Sequence, residues 1–247
     1  MIRDVLAGKR LFITGTTGFL GTNLLERLLR SVPDCEIVLL VRPGRRSTVE
    51  QRVAREILKN DAFDRLRAEL GADGFAEMTA RRITAVAGDV GRDGLGLDEA
   101  GRAVLADCDI VIHSAATVSF DSPLDSAVEV NLLGPVRLAA VLNELHAAST
   151  TKPHLVAVST CYVAGNRRGH APELLVSEGP FDIGLNWRAE VDSARRLRGD
   201  VEAASRTPQA LTKFRADARH ELGAAGAPAL AAKTEQLRDK WVQNELV

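Results

Sequence analysis

At 247 residues, with 45% hydrophobic and 26% charged side chains, the chain can bury a substantial core without metal or disulfide staples. A net charge of −1 excludes a general attraction to nucleic acid or to an anionic membrane, so affinity for an anionic ligand has to come from local groups. Cys35, Cys108 and Cys161 are odd in number and lack metal-type spacing, which argues against a disulfide framework and suits a reducing compartment.

The first ten residues carry Arg3, Asp4, Lys9 and Arg10 and no apolar stretch, so they do not read as a secretory leader. The longest apolar runs, such as Ile37 to Val41, are far short of a membrane span. A cytoplasmic location is expected, with no transmembrane segment and with room only for peripheral membrane contact.

Strands are predicted at Arg10 to Thr14, Glu36 to Val41, Ile83 to Ala87, Asp109 to His113 and His154 to Ser159, all apolar runs of the kind found in parallel sheets. Helices fall between them. In the first, Leu20, Leu24, Leu25, Leu28 and Leu29 share a face, with Glu26, Arg27 and Arg30 toward solvent. The stretch Ser47 to Leu70 is helical. A long helix from Asp125 to His146 buries Val128, Leu132, Leu138, Val141, Leu142 and Leu145 and is kinked or broken at Pro135. After Gly165 no further strand is evident, and Pro208 and Gly223 to Pro228 divide the rest into about three helices. The expected fold class is α/β, a Rossmann-type doubly wound parallel sheet over residues 1–165, followed by a helical region over 166–247.

The first strand runs into Gly15-Thr16-Thr17-Gly18-Phe19-Leu20-Gly21 and then into the first amphipathic helix. A strand that turns sharply into a helix with a pyrophosphate on the helix N-terminus needs positions without Cβ at the turn, at the phosphate approach and at the helix–strand contact. Gly15, Gly18 and Gly21 fill those places, so the segment reads as a dinucleotide site lined by Gly15, Thr17, Gly18, Phe19, Leu20 and Gly21. The second strand ends at Arg42, where NAD-preferring folds often carry an acid for the ribose hydroxyls. A guanidinium there favours a 2′-phosphate, and hence NADP(H) over NAD(H).

Further strings lie at the ends of the third, fourth and fifth strands: Ala87-Gly88-Asp89-Val90, His113-Ser114-Ala115-Ala116-Thr117-Val118-Ser119-Phe120-Asp121 and Val158-Ser159-Thr160-Cys161-Tyr162. With Gly18-Phe19-Leu20-Gly21, Leu39-Leu40-Val41-Arg42-Pro43 and Val130-Asn131-Leu132-Leu133-Gly134, their order from Lys9 to Gly165 resembles the fatty acyl-CoA reductases and thioester reductase domains. These belong to the extended short-chain dehydrogenase/reductase superfamily. The resemblance implies NADPH-dependent reduction of a fatty acyl-CoA or related acyl thioester to the aldehyde or alcohol. It implies that Asp89 and Val90 meet the adenine edge, that His113 and Ala115 line the cofactor pocket, and that the Thr160 hydroxyl polarises the substrate carbonyl. Asn131 matches a helix asparagine that in some relatives holds a proton-relay water. Cys161 reads as a small packing residue.

The tyrosine and lysine that complete such a site are missing. Tyr162 is the single tyrosine, the residue four on is Asn166, and no Tyr-x-x-x-Lys occurs. The reading that follows is an N-terminal part of a longer reductase. Alternatives from other classes are a noncatalytic NADP-binding redox sensor and a nucleotide-sugar epimerase or dehydratase of the extended type.

Overall fold

The computed structural model describes residues 2–247 except Arg45, Arg46, Phe120, Tyr162, Asn166, Arg167, Phe181 and Ala225. Its elements in chain order are helix α1 (Ile2–Leu6), β1 (Arg10–Thr14), α2 (Phe19–Ser31), β2 (Glu36–Val41), α3 (Val49–Arg52), α4 (Asp64–Arg82), β3 (Ile83–Ala87), α5 (Glu99–Ala106) and β4 (Ile110–His113). Helices α6 (Leu124–Ala127) and α7 (Leu133–Leu145) follow, then β5 (His154–Ala157), α8 (Trp187–Ser205), α9 (Pro208–Leu222) and α10 (Ala227–Glu245). The chain forms two compact units, residues 1–116 with 129–161 and residues 117–128 with 162–247.

In the first unit five parallel strands lie in the order β3-β2-β1-β4-β5. The alternation of side chains along β1 serves two cores. Leu11 and Ile13 join Ile37 and Leu39 against Leu25, Leu28 and Leu29 of α2 on one face. Phe12 joins Val38, Leu40 and Val111 against Leu105, Leu138, Val141 and Leu142 of α5 and α7 on the other. Covering both faces is what allows these strands to be apolar at nearly every position. β5 departs from the expectation of a buried strand, because it pairs with β4 alone and all four of its residues are exposed. As an edge strand it has no second neighbour among the described residues.

Three further readings are corrected by packing. Glu26 is buried, not solvent-facing, and its carboxylate accepts from Arg30 Nε at 2.6 Å and Nη2 at 3.3 Å. The long helix is not broken at Pro135 but carries a π-helical turn upstream of it, from Val128 to Leu132, and Pro135 sits in the first turn of α7. The chain stays helical through α6, this turn and α7, and the wider π-helical turn just before α7 accommodates the N–H missing at Pro135. Leu132 is consequently exposed and Val128 only half-buried, while Leu138, Val141 and Leu142 hold the core face.

Arg82 at the end of α4 is buried, and it reaches the C-terminal end of α2. Its guanidinium donates to the carbonyls of Leu29 at 2.7 Å, Cys35 at 3.0 Å, Leu28 at 3.4 Å and Val32. The Leu29 carbonyl, in the last turn of α2, and those of Val32 and Cys35 just beyond it are thereby satisfied by a cation on the favourable end of the dipole.

The second unit contains the three helices expected after Trp187. Asn186 caps α8 and Thr207 caps α9, with Pro208 in the first turn, and Gly223 ends α9 in a left-handed conformation at φ 59°. Arg238 of α10 is buried and donates to Glu202 at 2.8 Å and Ser205 at 3.2 Å on α8 and to Glu235 at 3.0 Å. No helix among the described residues is long and apolar enough to cross a membrane.

Candidate functional site: the carboxyl ends of the strands

The chain passes from β3 at one edge to β4 on the far side of β1, so adjacent crossovers leave β1 and β4 in opposite directions. A crevice opens at such a switch point, at the carboxyl ends of the strands. The glycine turn sits there. Gly15 has φ 81°, and a Cβ on it would lie 2.5 Å from Ser114 C and 2.6 Å from Ala115 N, so the turn after β1 packs directly on the backbone leaving β4. A Cβ on Gly21 would lie 2.3 Å from the Gly15 carbonyl oxygen. Thr22 Oγ1 closes the turn by donating to the Thr16 carbonyl at 2.8 Å.

Gly18 differs from both. A Cβ there would meet nothing closer than the Gly15 carbonyl oxygen at 3.4 Å, which is tolerable contact, so the protein's own packing does not demand glycine. Gly18 is the N-cap residue of α2, where no side chain caps the helix and no acid occupies the first turn. The first-turn N–H groups of Phe19, Leu20 and Gly21 are left without intrahelical acceptors and aimed along a positive dipole end, which suits a pyrophosphate. Thr17, Phe19 and Leu20 are exposed around that helix start.

Thr14 and His113, direct partners across β1 and β4, form the floor. Thr14 Oγ1 accepts from the backbone N–H of Ser114 at 3.2 Å and of Ala115 at 3.1 Å, so its own proton goes to His113 Nδ1 at 2.9 Å. Nδ1 is therefore the acceptor and Nε2 carries the ring proton. Burial holds the imidazole pKa below its ordinary 6.5 and keeps it neutral. Thr14 has no motif of its own in the sequence, and its part shows only once β4 is beside β1.

At the other side of β1 a pocket of about 190 Å³ is lined by Arg42, Pro43, Ala87, Gly88, Asp89, Arg92 and Gly96. Asp89 is half-buried and accepts from Gly91 N–H at 2.9 Å. Val90 turns its side chain into the core beneath, beside Gly134. Ala115 is partly buried against that same core. Arg92 was not visible as a candidate in the sequence, because an arginine in a turn carries no pattern of its own.

Thr160 is exposed, three residues beyond the end of β5. Val158 N–H donates to the His113 carbonyl at 2.8 Å, so this segment leaves the sheet beside His113. Cys161 is exposed, which corrects its reading as a packing residue. Asn131 lies in the π-helical turn, and Tyr162 and Asn166 lie outside the described residues.

A family model described as male sterility protein matches residues 13–227. The chain belongs to this family. Among its relatives, the chloroplastic fatty acyl-CoA reductase 2 of Arabidopsis thaliana is 30% identical over 214 residues, which cover 84% of this chain and 34% of that protein. Fatty acyl-CoA reductase 1 of Homo sapiens is 35% identical over 176 residues, 70% of this chain and 32% of that one. Among solved structures, the terminal R domain from the myxalamid PKS-NRPS biosynthetic pathway is similar at 33% identity and a TM-score of 0.51, covering 66% of this chain and 38% of that one. The chain spans about a third of the length of the curated relatives it matches. Membership agrees with the resemblance read from the sequence, and this male sterility family member carries a Rossmann-type nicotinamide-dinucleotide-binding domain.

Proposed function

We propose that this male sterility family member supplies the cofactor half of an NADPH-dependent reductase acting on fatty acyl-CoA or related acyl thioesters. The observation that carries the cofactor part is the α2 N-terminus at Gly18, uncapped by any side chain, beside a pocket whose rim bears Arg42. The substrate class is supported by the names of the relatives.

In this reading Gly15, Thr17, Gly18, Phe19, Leu20 and Gly21 receive the pyrophosphate through the helix N-terminus. Asp89 and the Val90 backbone meet the adenine, Arg42 meets the 2′-phosphate, and His113 and Ala115 line the nicotinamide end. NADPH, when bound, supplies the hydride. Thr160 directs its hydroxyl at the substrate carbonyl and stabilises negative charge on that oxygen. A threonine hydroxyl at its ordinary acidity cannot by itself supply a proton at neutral pH, and the chain has no Tyr-x-x-x-Lys to do so. Cofactor binding with little or no turnover is therefore expected of these 247 residues alone.

Calorimetric titration with NADPH and NADH, alongside Arg42→Ala, tests the reading. Preferential NADPH binding that weakens in the variant supports it, and absence of binding to either nucleotide overturns it. Acyl-CoA reduction at enzyme-like rates by these residues alone would overturn the division of labour between Thr160 and an external proton donor.

A further inference from the structure

Arg92 begins a chain reversal with an unusual backbone: Gly94, Leu95 and Gly96 all stand at φ 60°. Leu95 is the only non-glycine residue with positive φ among the described residues. A leucine stays in that strained conformation only where its surroundings over-determine it. Here they do, because its side chain is fully buried in the core of the α5 and α7 face. Its backbone is also fixed at both ends. Asp89 N–H donates to the Leu95 carbonyl at 2.7 Å, Leu95 N–H donates to the Arg92 carbonyl at 3.0 Å, and Arg92 N–H donates to the Asp89 carbonyl at 3.0 Å.

These backbone bonds tie the segment from Arg92 to Leu95 to the strand-end turn that carries Asp89, one of them joining Arg92 N–H directly to the Asp89 carbonyl. The Arg92 stem lies along Gly96, where an added Cβ would come within 3.4 Å of its Cδ, so the glycine leaves room for the side chain to lie flat. The neighbouring acid is engaged elsewhere, since Asp93 accepts from Arg137 Nε at 2.9 Å. Asp89 is engaged by Gly91 N–H. No carboxylate pairs with the guanidinium of Arg42 or Arg92 among the described residues, although both line the same 190 Å³ pocket. Two arginines without a carboxylate partner among the described residues, both lining one small pocket, suit a doubly charged phosphomonoester.

We propose that Arg92 is the second cation of the ribose 2′-phosphate subsite, and that the strained 92–96 turn exists to hold it on the pocket that Arg42 also lines. The inference rests on the cofactor reading above and adds to it a residue that sets NADPH over NADH.

The test is calorimetric titration of the whole chain, wild type, Arg42→Ala, Arg92→Ala and Arg92→Lys, with NADPH, NADH, 2′,5′-ADP and 3′,5′-ADP. Both arginines are exposed, and a thermal melt confirms that each variant is folded. Loss of a charge-assisted contact predicts that Arg92→Ala weakens NADPH and 2′,5′-ADP by about 10- to 100-fold and leaves NADH within about twofold, with partial recovery in Arg92→Lys. NADPH affinity unchanged in Arg92→Ala but reduced in Arg42→Ala would overturn the role of Arg92 and leave the cofactor reading intact. Equal losses for NADH and NADPH would also overturn it, by assigning Arg92 to the adenine or to the turn. Tighter binding of 3′,5′-ADP than of 2′,5′-ADP would overturn the 2′ assignment, and no binding of either dinucleotide by the wild type would overturn the cofactor reading itself.

Discussion

The Thr14 hydroxyl and the His113 imidazole meet at 2.9 Å across β1 and β4, and the same oxygen holds the backbone N–H groups of Ser114 and Ala115. One side chain thereby fixes a ring tautomer and ties the exit of β4 to the strand that carries the glycine turn. Thr14→Val keeps the shape and removes all three bonds, leaving buried polar groups without partners. A loss on the order of 2–3 kcal/mol is expected, with most of it restored in Thr14→Ser. Urea denaturation of the two variants checks this, and equal stability of Thr14→Val and wild type would contradict it.

His113 also gives the first unit a pH signature. Its pKa is lowered by burial, so above the unfolded value of 6.5 both states are neutral and the stabilising contribution is complete. As pH falls below 6.5 the unfolded chain takes up a proton that the folded chain refuses, and stability declines until the folded pKa is reached. Denaturation midpoints from pH 8 to 5 should fall more steeply for wild type than for His113→Gln. Parallel curves would show that another group dominates.

The three glycines of the turn should separate by function. Gly15→Ala and Gly21→Ala drive a methyl into backbone at 2.5 Å and 2.3 Å, and Gly15 also needs its positive φ. Both are expected to destabilise the fold by several kcal/mol, on the order of an overpacked core site. Gly18→Ala should change stability by less than about 1 kcal/mol, since the added methyl meets only the Gly15 carbonyl oxygen at 3.4 Å, and, if the pyrophosphate sits at the α2 N-terminus as proposed, weaken dinucleotide affinity about tenfold or more. Thermal melts paired with nucleotide titration distinguish the two classes. Normal affinity in Gly18→Ala would place the pyrophosphate elsewhere.

Arg82 is expected to be a stability residue with no part in binding. Arg82→Ala strands the carbonyls at the end of α2 and opens a buried gap, a loss on the order of 3 kcal/mol. Arg82→Lys cannot span the same fan of acceptors and should recover only part. Full stability in either variant would mean that water satisfies those carbonyls as well.

The cysteines offer a rapid check of the fold. Cys35 and Cys108 are buried, and burial above all pushes the Cys108 thiol up to about 12, whereas Cys161 is exposed. A thiol reagent at pH 8 should therefore titrate one cysteine in the native protein and the other two only in denaturant. Rapid native reaction of all three would show that the sheet packing around Cys108 is wrong.

What the sequence determined by itself was whatever depends on local pattern: five apolar strands, the glycine turn into α2, the basic end of β2 and the three helices after Trp187. Those features are set by period, by turn chemistry and by backbone sterics within a few residues, so no distant contact was needed to read them. Tertiary structure alone decided which strands are neighbours, and everything that follows from that order. It joined Thr14 to His113, turned Glu26 inward to Arg30, brought Arg82 under α2 and left β5 exposed at an edge. It also put Arg92 and Arg42 on the lining of one pocket, with the turn after Arg92 fixed by a leucine held at φ 60° by core packing and backbone bonds. Glu26 and Arg30 are one helical turn apart and β5 is a matter of strand order, but the other arrangements pair residues far apart in the chain or fix a strained backbone against a packed core, and their energy resides in contacts that exist only after the sheet has closed.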